Sequence, residues 1–441
     1  MSRLVIPSKL LERLRRSLFK DENESFAILI GRSIFKNGRL IRLIAREIIE
    51  PESDAYEIRT ATRIQITPHF IAQIAQRSRR SGESLVFVHS HPFPFNEFSK
   101  TDDEGEVVLA NFFKQRTPNT VHAALLLTPE KSLARILGER KYLSVIGVGS
   151  EFYLDRIQKQ SEPNQIYDRQ VRAFGQEGQK IVESLRIGIV GLGGTGSVVA
   201  QQLAHLGVRD FLLIDPDVLE ESNLNRVVGA SRDDIGKDKV TITKELINRI
   251  NPEAKVETAK ESVLRNSIAE FLLDTDFTFS CTDSHGSRAV LNQLAYQYLL
   301  PIIDMGVVIA VRGQKIENIA ARTQLLAPDL ACMVCGNLLN YEEVRRDLLS
   351  DFERKNDPYI TGATEPAPSV ISLNSTVASM AITMFLNSVV GIPGTARLIN
   401  YNAINGTSRA AVCPKHPTCV VCSMNGSFAR ADEWQLPGRL D

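Results

Sequence analysis

Ile187-Gly188-Ile189-Val190-Gly191-Leu192-Gly193-Gly194-Thr195-Gly196-Ser197 begins as a short apolar strand and breaks into Gly191-x-Gly193-x-x-Gly196. Glycines at this spacing allow a tight turn and let backbone N–H groups approach a phosphate closely. The helix that starts near Gly196 then offers its N-terminus to an anion. Outward from this stretch, Arg186 to Val190 and Phe211 to Ile214 read as strands flanking the helix, and Phe277 to Ser280 and Ile302 to Asp304 as later strands. Strands alternating with helices predict an α/β Rossmann-like domain with a mainly parallel sheet. Asp215 lies 19 residues after Gly196, at the end of the next strand, where a carboxylate can accept bonds from ribose hydroxyls. On these features alone, a dinucleotide dehydrogenase is the leading reading.

The residues that follow argue otherwise. Asp215-Pro216-Asp217, Ser222-Asn223-Leu224-Asn225-Arg226 and Ile235-Gly236-Lys237-Asp238-Lys239 bring cations close in sequence to the ribose acid, as a triphosphate requires. Asp283, in Cys281-Thr282-Asp283, follows an apolar strand and is expected to face the crevice at the strands' C-terminal ends, where it can hold Mg²⁺. With Tyr167-Asp168-Arg169-Gln170 upstream, the ordered set resembles the ThiF/MoeB and ubiquitin-activating enzyme family over roughly residues 165–425. The resemblance implies ATP and Mg as cofactors, with Gly191, Gly193, Gly194 and Gly196 in the nucleotide loop and Asp215 on the ribose. Asp217 belongs to the same nucleotide site, Asn223, Arg226 and Lys239 contact the phosphates, and Asp283 is the magnesium-associated acid. Arg169 matches an arginine that family dimers contribute to the neighbouring subunit's nucleotide, so a homodimer is expected. The implied chemistry is attack of a protein C-terminal carboxylate on the α-phosphate of ATP.

Upstream lies a second constellation, Val88-His89-Ser90-His91-Pro92, six residues, then Ser99-x-x-Asp102. Histidines at i and i+2 of a strand end point the same way, and Asp102 can return an oxygen ligand from the start of the next helix. Three protein ligands leave a fourth position for water on a catalytic zinc. Glu24 is the candidate base, and Ser99 is read as a helix N-cap that also donates to an oxyanion. Asp103 and Glu104 read as a solvated acidic helix start. The spacing resembles the JAMM (JAB/MPN) metalloprotease motif, and Glu24-Ser-Phe-Ala-Ile-Leu-Ile-Gly31 resembles that family's glutamate-bearing strand. The resemblance implies an α+β domain, with His89, His91 and Asp102 on zinc and Glu24 as general acid/base. Its reaction would be hydrolysis of a peptide or isopeptide bond beside a ubiquitin-like C-terminus.

The six cysteines fall at 281, 332, 335, 413, 419 and 422, and four of them form Cys332-x-x-Cys335 and Cys419-x-x-Cys422. In a reducing compartment two such pairs read as a closed structural zinc site. Cys281 reads as a buried packing cysteine. Family members that form a thioester carry a cysteine in a loop between the pairs. The corresponding stretch here, Ile360 to Ser369, has none, and Cys413 is a weak substitute. Direct transfer from the acyl-adenylate is therefore expected.

Lys+Arg and Asp+Glu both total 52 in 441 residues, which removes the electrostatic drive for nucleic-acid binding. The N-terminus lacks an export signal, so a cytoplasmic location is expected. Val370 to Thr395 is uncharged but interrupted by serines, threonines and asparagines, and reads as a buried helix, at a subunit contact, rather than a membrane span. The polar run from Gln158 to Gln165 is the expected linker, giving a JAMM-type domain over residues 1–157, a linker over 158–165 and an adenylating domain over 166–441. Together these features predict a bifunctional enzyme of a bacterial ubiquitin-like modification pathway, acting with a ubiquitin-like protein and a separate conjugating enzyme. Sulfur-carrier activation and a non-enzymatic ubiquitin-like-binding scaffold are the alternatives.

Overall fold

The computed structural model describes residues 2–93, 95–155, 164–350, 353 and 367–439. Its contacts divide the chain into two units, one of Met1–Gln160 with Ala429–Trp434, the other of Ser161–Phe428 with Gln435–Asp441. Most of the expected linker, residues 158–163, lies outside the described residues.

The first unit contains strands β1 (Arg3–Pro7), β2 (Phe26–Lys36), β3 (Arg39–Ile49), β4 (Tyr56–Arg59), β5 (Ile64–Ile66), β6 (Ser84–Ser90), β7 (Ala123–Leu127), β8 (Ser132–Ile136), β9 (Tyr142–Val148) and β10 (Phe152–Asp155). Eight of these form one sheet in the order β1-β3-β2-β6-β7-β8-β9-β10, and β1 also pairs with β9, which closes the sheet on itself. β4 and β5 form a small sheet of their own.

Both faces of the large sheet are covered, so its central strands read as continuous apolar runs rather than alternating ones. Ala27 and Leu29 of β2 and Val86 and Val88 of β6 pack with Leu11, Leu14 and Leu18 of helix Ser8–Leu18. The opposite parity, Phe26, Ile28, Ile30, Leu85 and Phe87, packs with Ile74 of helix Pro68–Ser81 and Phe113 of helix Lys100–Arg116. His89 shares parity with Leu85 and Phe87, so the pleat sends it toward the side where helix Lys100–Arg116 begins.

The second unit contains β11 (Arg186–Val190), β12 (Asp210–Ile214), β13 (Lys255–Ala259), β14 (Phe277–Ser280), β15 (Ile302–Arg312), β16 (Lys315–Leu326), β17 (Leu398–Asn402) and β18 (Thr407–Ala410). They form one sheet in the order β13-β12-β11-β14-β15-β16-β17-β18. Pairing is parallel from β13 through β15 and antiparallel from β15 through β18. The expected mainly parallel sheet is thus mixed. β15 runs past Asp304 to Arg312 and turns at Gly313, and a tight turn permits only an antiparallel partner.

The uncharged segment forms helix Ile371–Val389. Its Phe385 ring packs on Phe277 and Phe279 at centroid distances of 5.0 and 5.6 Å, so the helix is part of this unit's own core. Among the described residues, no helix is long and apolar enough to cross a membrane.

Candidate active sites

His89 lies near the end of β6 and His91 just beyond it, where His91 N–H donates to Leu127 O of β7 at 2.9 Å. Asp102 is the third residue of helix Lys100–Arg116. Ser99 caps that helix in a reciprocal capping box, its Oγ accepting from Asp102 N–H at 3.2 Å while its own N–H donates to Asp102 Oδ2 at 2.6 Å. The cap aims the carboxylate back at the histidines. His89 Nε2 is 3.2 Å from Asp102 Oδ1, and His91 Nε2 is 3.5 Å from Asp102 Oδ2 and 3.8 Å from Glu24 Oε1. His91 Nδ1 is 3.1 Å from Phe95 O, which directs Nε2 inward.

Buried His89 Nε2 has no hydrogen-bond partner of good geometry, and the donor atoms of His89, His91 and Asp102 lie within 4.8 Å of one another. An orphaned imidazole nitrogen facing a carboxylate fits a metal ligand set. Burial raises the Glu24 carboxyl above its usual range, against the pull of the His91 and His89 imidazoles. Burial also works against the charged form of Asp102, but the nearby His89 and His91 imidazoles and the Ser99 N–H outweigh it and hold that carboxyl far below the usual range.

Next to the ligand, Asp103 is not the freely solvated acid the sequence suggested. It accepts from Arg135 Nη2 at 2.6 Å, and the same guanidinium is bonded to buried Glu106 and stacks 3.8 Å above the Phe98 ring. Glu104 is exposed, as expected. Sequence reasoning also overlooked Ser25, Ser90 and Arg59. Ser90 stands between the two histidines, where the motif itself points to it, but Arg59 carries no local signal.

In the second unit, a Cβ at Gly196 would sit 1.8 Å from Gly191 O, and one at Gly191, where φ is +86°, would sit 2.8 Å from Cys281 O. Gly194 leaves room for Asn374, whereas nothing lies within 4 Å of a Cβ at Gly193, so that position faces open space. Asp215 is buried with its carboxylate committed to backbone N–H groups, Oδ2 accepting from Leu192 at 2.6 Å and Oδ1 from Asp217 at 2.9 Å. Burial pushes its carboxyl up, opposed by Lys239. Lys239 opens helix Lys239–Ile250 and pairs with Asp217 Oδ2 at 2.7 Å.

Asn223 is buried and Arg226 is half-buried, with Arg226 Nη1 donating to Ser222 O at 2.6 Å. The Arg226 Cβ lies 3.4 Å from where a side chain on Gly194 would begin, so Arg226 adjoins the loop. Asp283 is exposed in the turn between β14 and helix His285–Gln297, and Arg169 is exposed in the first turn of helix Asp168–Ser184. Cys281 is only partly buried, its sulfur 4.0 Å from Met305 Sδ.

The four CxxC sulfurs gather into one cluster, with Cys332–Cys335 at 3.7 Å, Cys332–Cys419 at 3.5 Å and Cys335–Cys422 at 3.4 Å. Tetrahedral zinc at about 2.3 Å from each thiolate places sulfurs roughly 3.8 Å apart, so the set fits zinc with slight expansion. The backbone N–H of His416 reaches Cys335 Sγ at 3.3 Å. Cys413 stands outside the cluster, and most of the cysteine-free stretch before it, residues 360–366, lies outside the described residues.

The sequence model of the ThiF family matches residues 167–421, more than half of the chain. The chain belongs to the ThiF family. Residues 7–132 match the model of prokaryotic homologs of the JAB domain. The SAMP-activating enzyme E1 of Haloferax volcanii is 27% identical over 252 residues, spanning 57% of this chain and 85% of that protein. The molybdopterin-synthase adenylyltransferase of Escherichia coli is 28% identical over 258 residues, 58% of this chain and 95% of that one. The crystal structure of E. coli MccB with ATP aligns at 20% identity and a TM-score of 0.47, covering 59% of this chain and 75% of that one. The ThiF segment includes the glycine loop and three of the four clustered cysteines, and the JAB segment includes Glu24, both histidines and Asp102.

Proposed function

We propose that this ThiF-family protein is a bifunctional enzyme of a bacterial ubiquitin-like modification pathway. It adenylates the C-terminus of a ubiquitin-like protein with ATP and cleaves that C-terminus from a precursor or conjugate in a zinc-dependent reaction. The observation that carries the reading is that one chain holds both a ThiF segment with an open glycine loop and a His89, His91, Asp102 cluster facing Glu24.

For adenylation, a carboxylate oxygen of the modifier attacks the α-phosphorus and the bond to pyrophosphate breaks. Lys239 and Arg226 offset the charge that develops there, Asn223 holds phosphate, Asp215 and Asp217 flank the ribose, and Asp283 holds Mg. Arg169 acts across a homodimer on the neighbouring nucleotide. The four cysteines hold structural zinc.

For cleavage, zinc held by His89, His91 and Asp102 supplies Lewis acidity. Glu24 takes a proton from the attacking water and returns it to the leaving amine as the C–N bond breaks. The Ser99 hydroxyl accepts the Asp102 N–H through its oxygen and keeps its own proton for the tetrahedral oxyanion. The relatives named as a SAMP-activating enzyme and a molybdopterin-synthase adenylyltransferase support a ubiquitin-like partner, and thiocarboxylate formation on a sulfur carrier is the rival outcome. A separate conjugating enzyme and a cytoplasmic setting complete the proposal.

The two activities should separate by mutation. Glu24→Ala is expected to abolish cleavage and leave ATP–pyrophosphate exchange with a mature modifier unchanged, and Asp283→Ala to do the reverse. Loss of exchange in Glu24→Ala on mature modifier would refute independent sites.

A further inference from the structure

Glu24 lies in the short connection that leads into β2, where no strand pairing fixes it. Two segments hold it instead. On one side, Ser25 N–H donates to Ser90 Oγ at 3.0 Å and Ser25 O accepts from Ser90 N–H at 3.0 Å, which ties the connection to the residue between His89 and His91. On the other side runs the β4 hairpin. The Tyr56 hydroxyl lies 3.3 Å from both the N–H and the carbonyl oxygen of Phe26. Arg59 Nη2 donates to Ser25 Oγ at 2.6 Å, and the two Arg59 Nη atoms grip the Asp21 carboxylate at 2.9 and 3.0 Å. Thr60 O accepts from Glu24 N–H at 2.9 Å. Residues 24, 25 and 26 are thus each contacted in turn by residues 60, 59 and 56.

Among the described residues β4 pairs with β5 and not with the large sheet, against whose core Tyr56, Ile64 and Ile66 pack, so the hairpin adds no strand to that sheet. A planar guanidinium bridging Asp21 and Ser25 spans the residues on either side of Glu24 and fixes that stretch of backbone at both ends.

We infer that Arg59 is a positioning residue for Glu24: with Asp21 and Ser25 it locks the glutamate at its distance from His91, and the β4–β5 hairpin is the brace that carries it. This rests on the reading of Glu24 as the general base. A catalytic carboxylate misplaced by about 1 Å costs on the order of 100-fold in rate, so a brace of this kind acts on turnover rather than on substrate affinity.

The test compares Arg59→Ala, Arg59→Lys and Ser25→Ala with Glu24→Ala in the full chain loaded with zinc. Cleavage of a linear ubiquitin-like fusion is expected to lose 10- to 100-fold in kcat in Arg59→Ala, with KM within about twofold and zinc content and Tm unchanged, and Arg59→Lys should recover part of the loss. Hydrogen exchange gives a readout independent of activity: amides of residues 21–26 should exchange faster in Arg59→Ala while those of β6 and β7 keep their protection. Unchanged exchange at 21–26, or loss of turnover only in step with zinc or Tm, would overturn the positioning role. If Glu24→Ala itself retains full cleavage, the assignment of Glu24 as base fails, and the exchange result alone decides whether the brace exists.

Discussion

Ser99 and Asp102 satisfy each other, Ser99 Oγ receiving the Asp102 N–H at 3.2 Å and Asp102 Oδ2 receiving the Ser99 N–H at 2.6 Å. One carboxylate therefore serves both as a helix cap and as the group that meets two imidazoles. Ser99→Ala removes one half of the capping box and is expected to cost about 1 kcal/mol of stability. Because Asp102 keeps its bond from the residue-99 N–H, zinc content should stay at the wild-type level while cleavage falls. Denaturant titration with metal analysis checks this. Zinc loss in Ser99→Ala would show that the bond from the residue-99 N–H does not suffice to hold Asp102 in place and that the Ser99 hydroxyl is needed as well.

Two zinc ions per chain are expected. His91→Ala should lose one with both units folded. Cys332→Ser should lose the other and destabilise the second unit, since a structural zinc contributes its binding free energy to folding. Elemental analysis beside circular dichroism distinguishes the two, and an undiminished zinc count in either variant contradicts that site's assignment.

His122 makes the first unit sensitive to acid. Its Nδ1 accepts the Leu85 N–H at 3.1 Å and its Nε2 faces Thr117 Oγ1 at 2.8 Å, while that hydroxyl donates to Phe113 O at 2.9 Å. The ring is held neutral, and burial pushes its pKa from 6.5 down to about 4. The unfolded chain thus binds a proton between those values that the folded chain does not. Stability contributed by His122 is present above pH 6.5, falls as pH drops toward 4, and is lost below that, by about 3 kcal/mol at most. Urea midpoints for wild type and His122→Asn across pH 4.5 to about 7.5 should converge at the acid end. Parallel curves would remove His122 as the cause.

The acyl-adenylate is expected to pass directly to a partner's nucleophile. Cys413 is not one of the four clustered cysteines, and its Sγ lies 3.7 Å from the Pro414 carbonyl oxygen. A mature ubiquitin-like protein incubated with ATP should give no reductant-sensitive adduct on this chain while pyrophosphate exchange proceeds. An adduct that vanishes in Cys413→Ala would establish a thioester here instead.

Local signals in the sequence carried further than contact signals. Arg186–Val190 and Phe277–Ser280 have the bounds their apolar runs announce, and the local cap residues Thr67 and Gly82 bracket helix Pro68–Ser81. β15 was legible only to Asp304, because the residues beyond it are stabilised by pairing with β16 rather than by burial. The convergence of His89, His91 and Asp102 follows from strand parity and a helix cap, both local rules. The grip of Arg59 on Ser25 and of Arg135 on Asp103 joins residues 34 and 32 positions apart, and no periodicity encodes such pairs.

The contact between Gly191 and Gly196 has a consequence for variation. With Gly196 pressed against the Gly191 carbonyl, and Gly191 against the backbone of Cys281, three segments meet main chain to main chain. Peptide groups have the same dimensions in every sequence. Exchanging side chains around the crevice therefore leaves this backbone seat its shape, so on the proposed function affinity for nucleotide and choice of protein substrate are free to diverge independently.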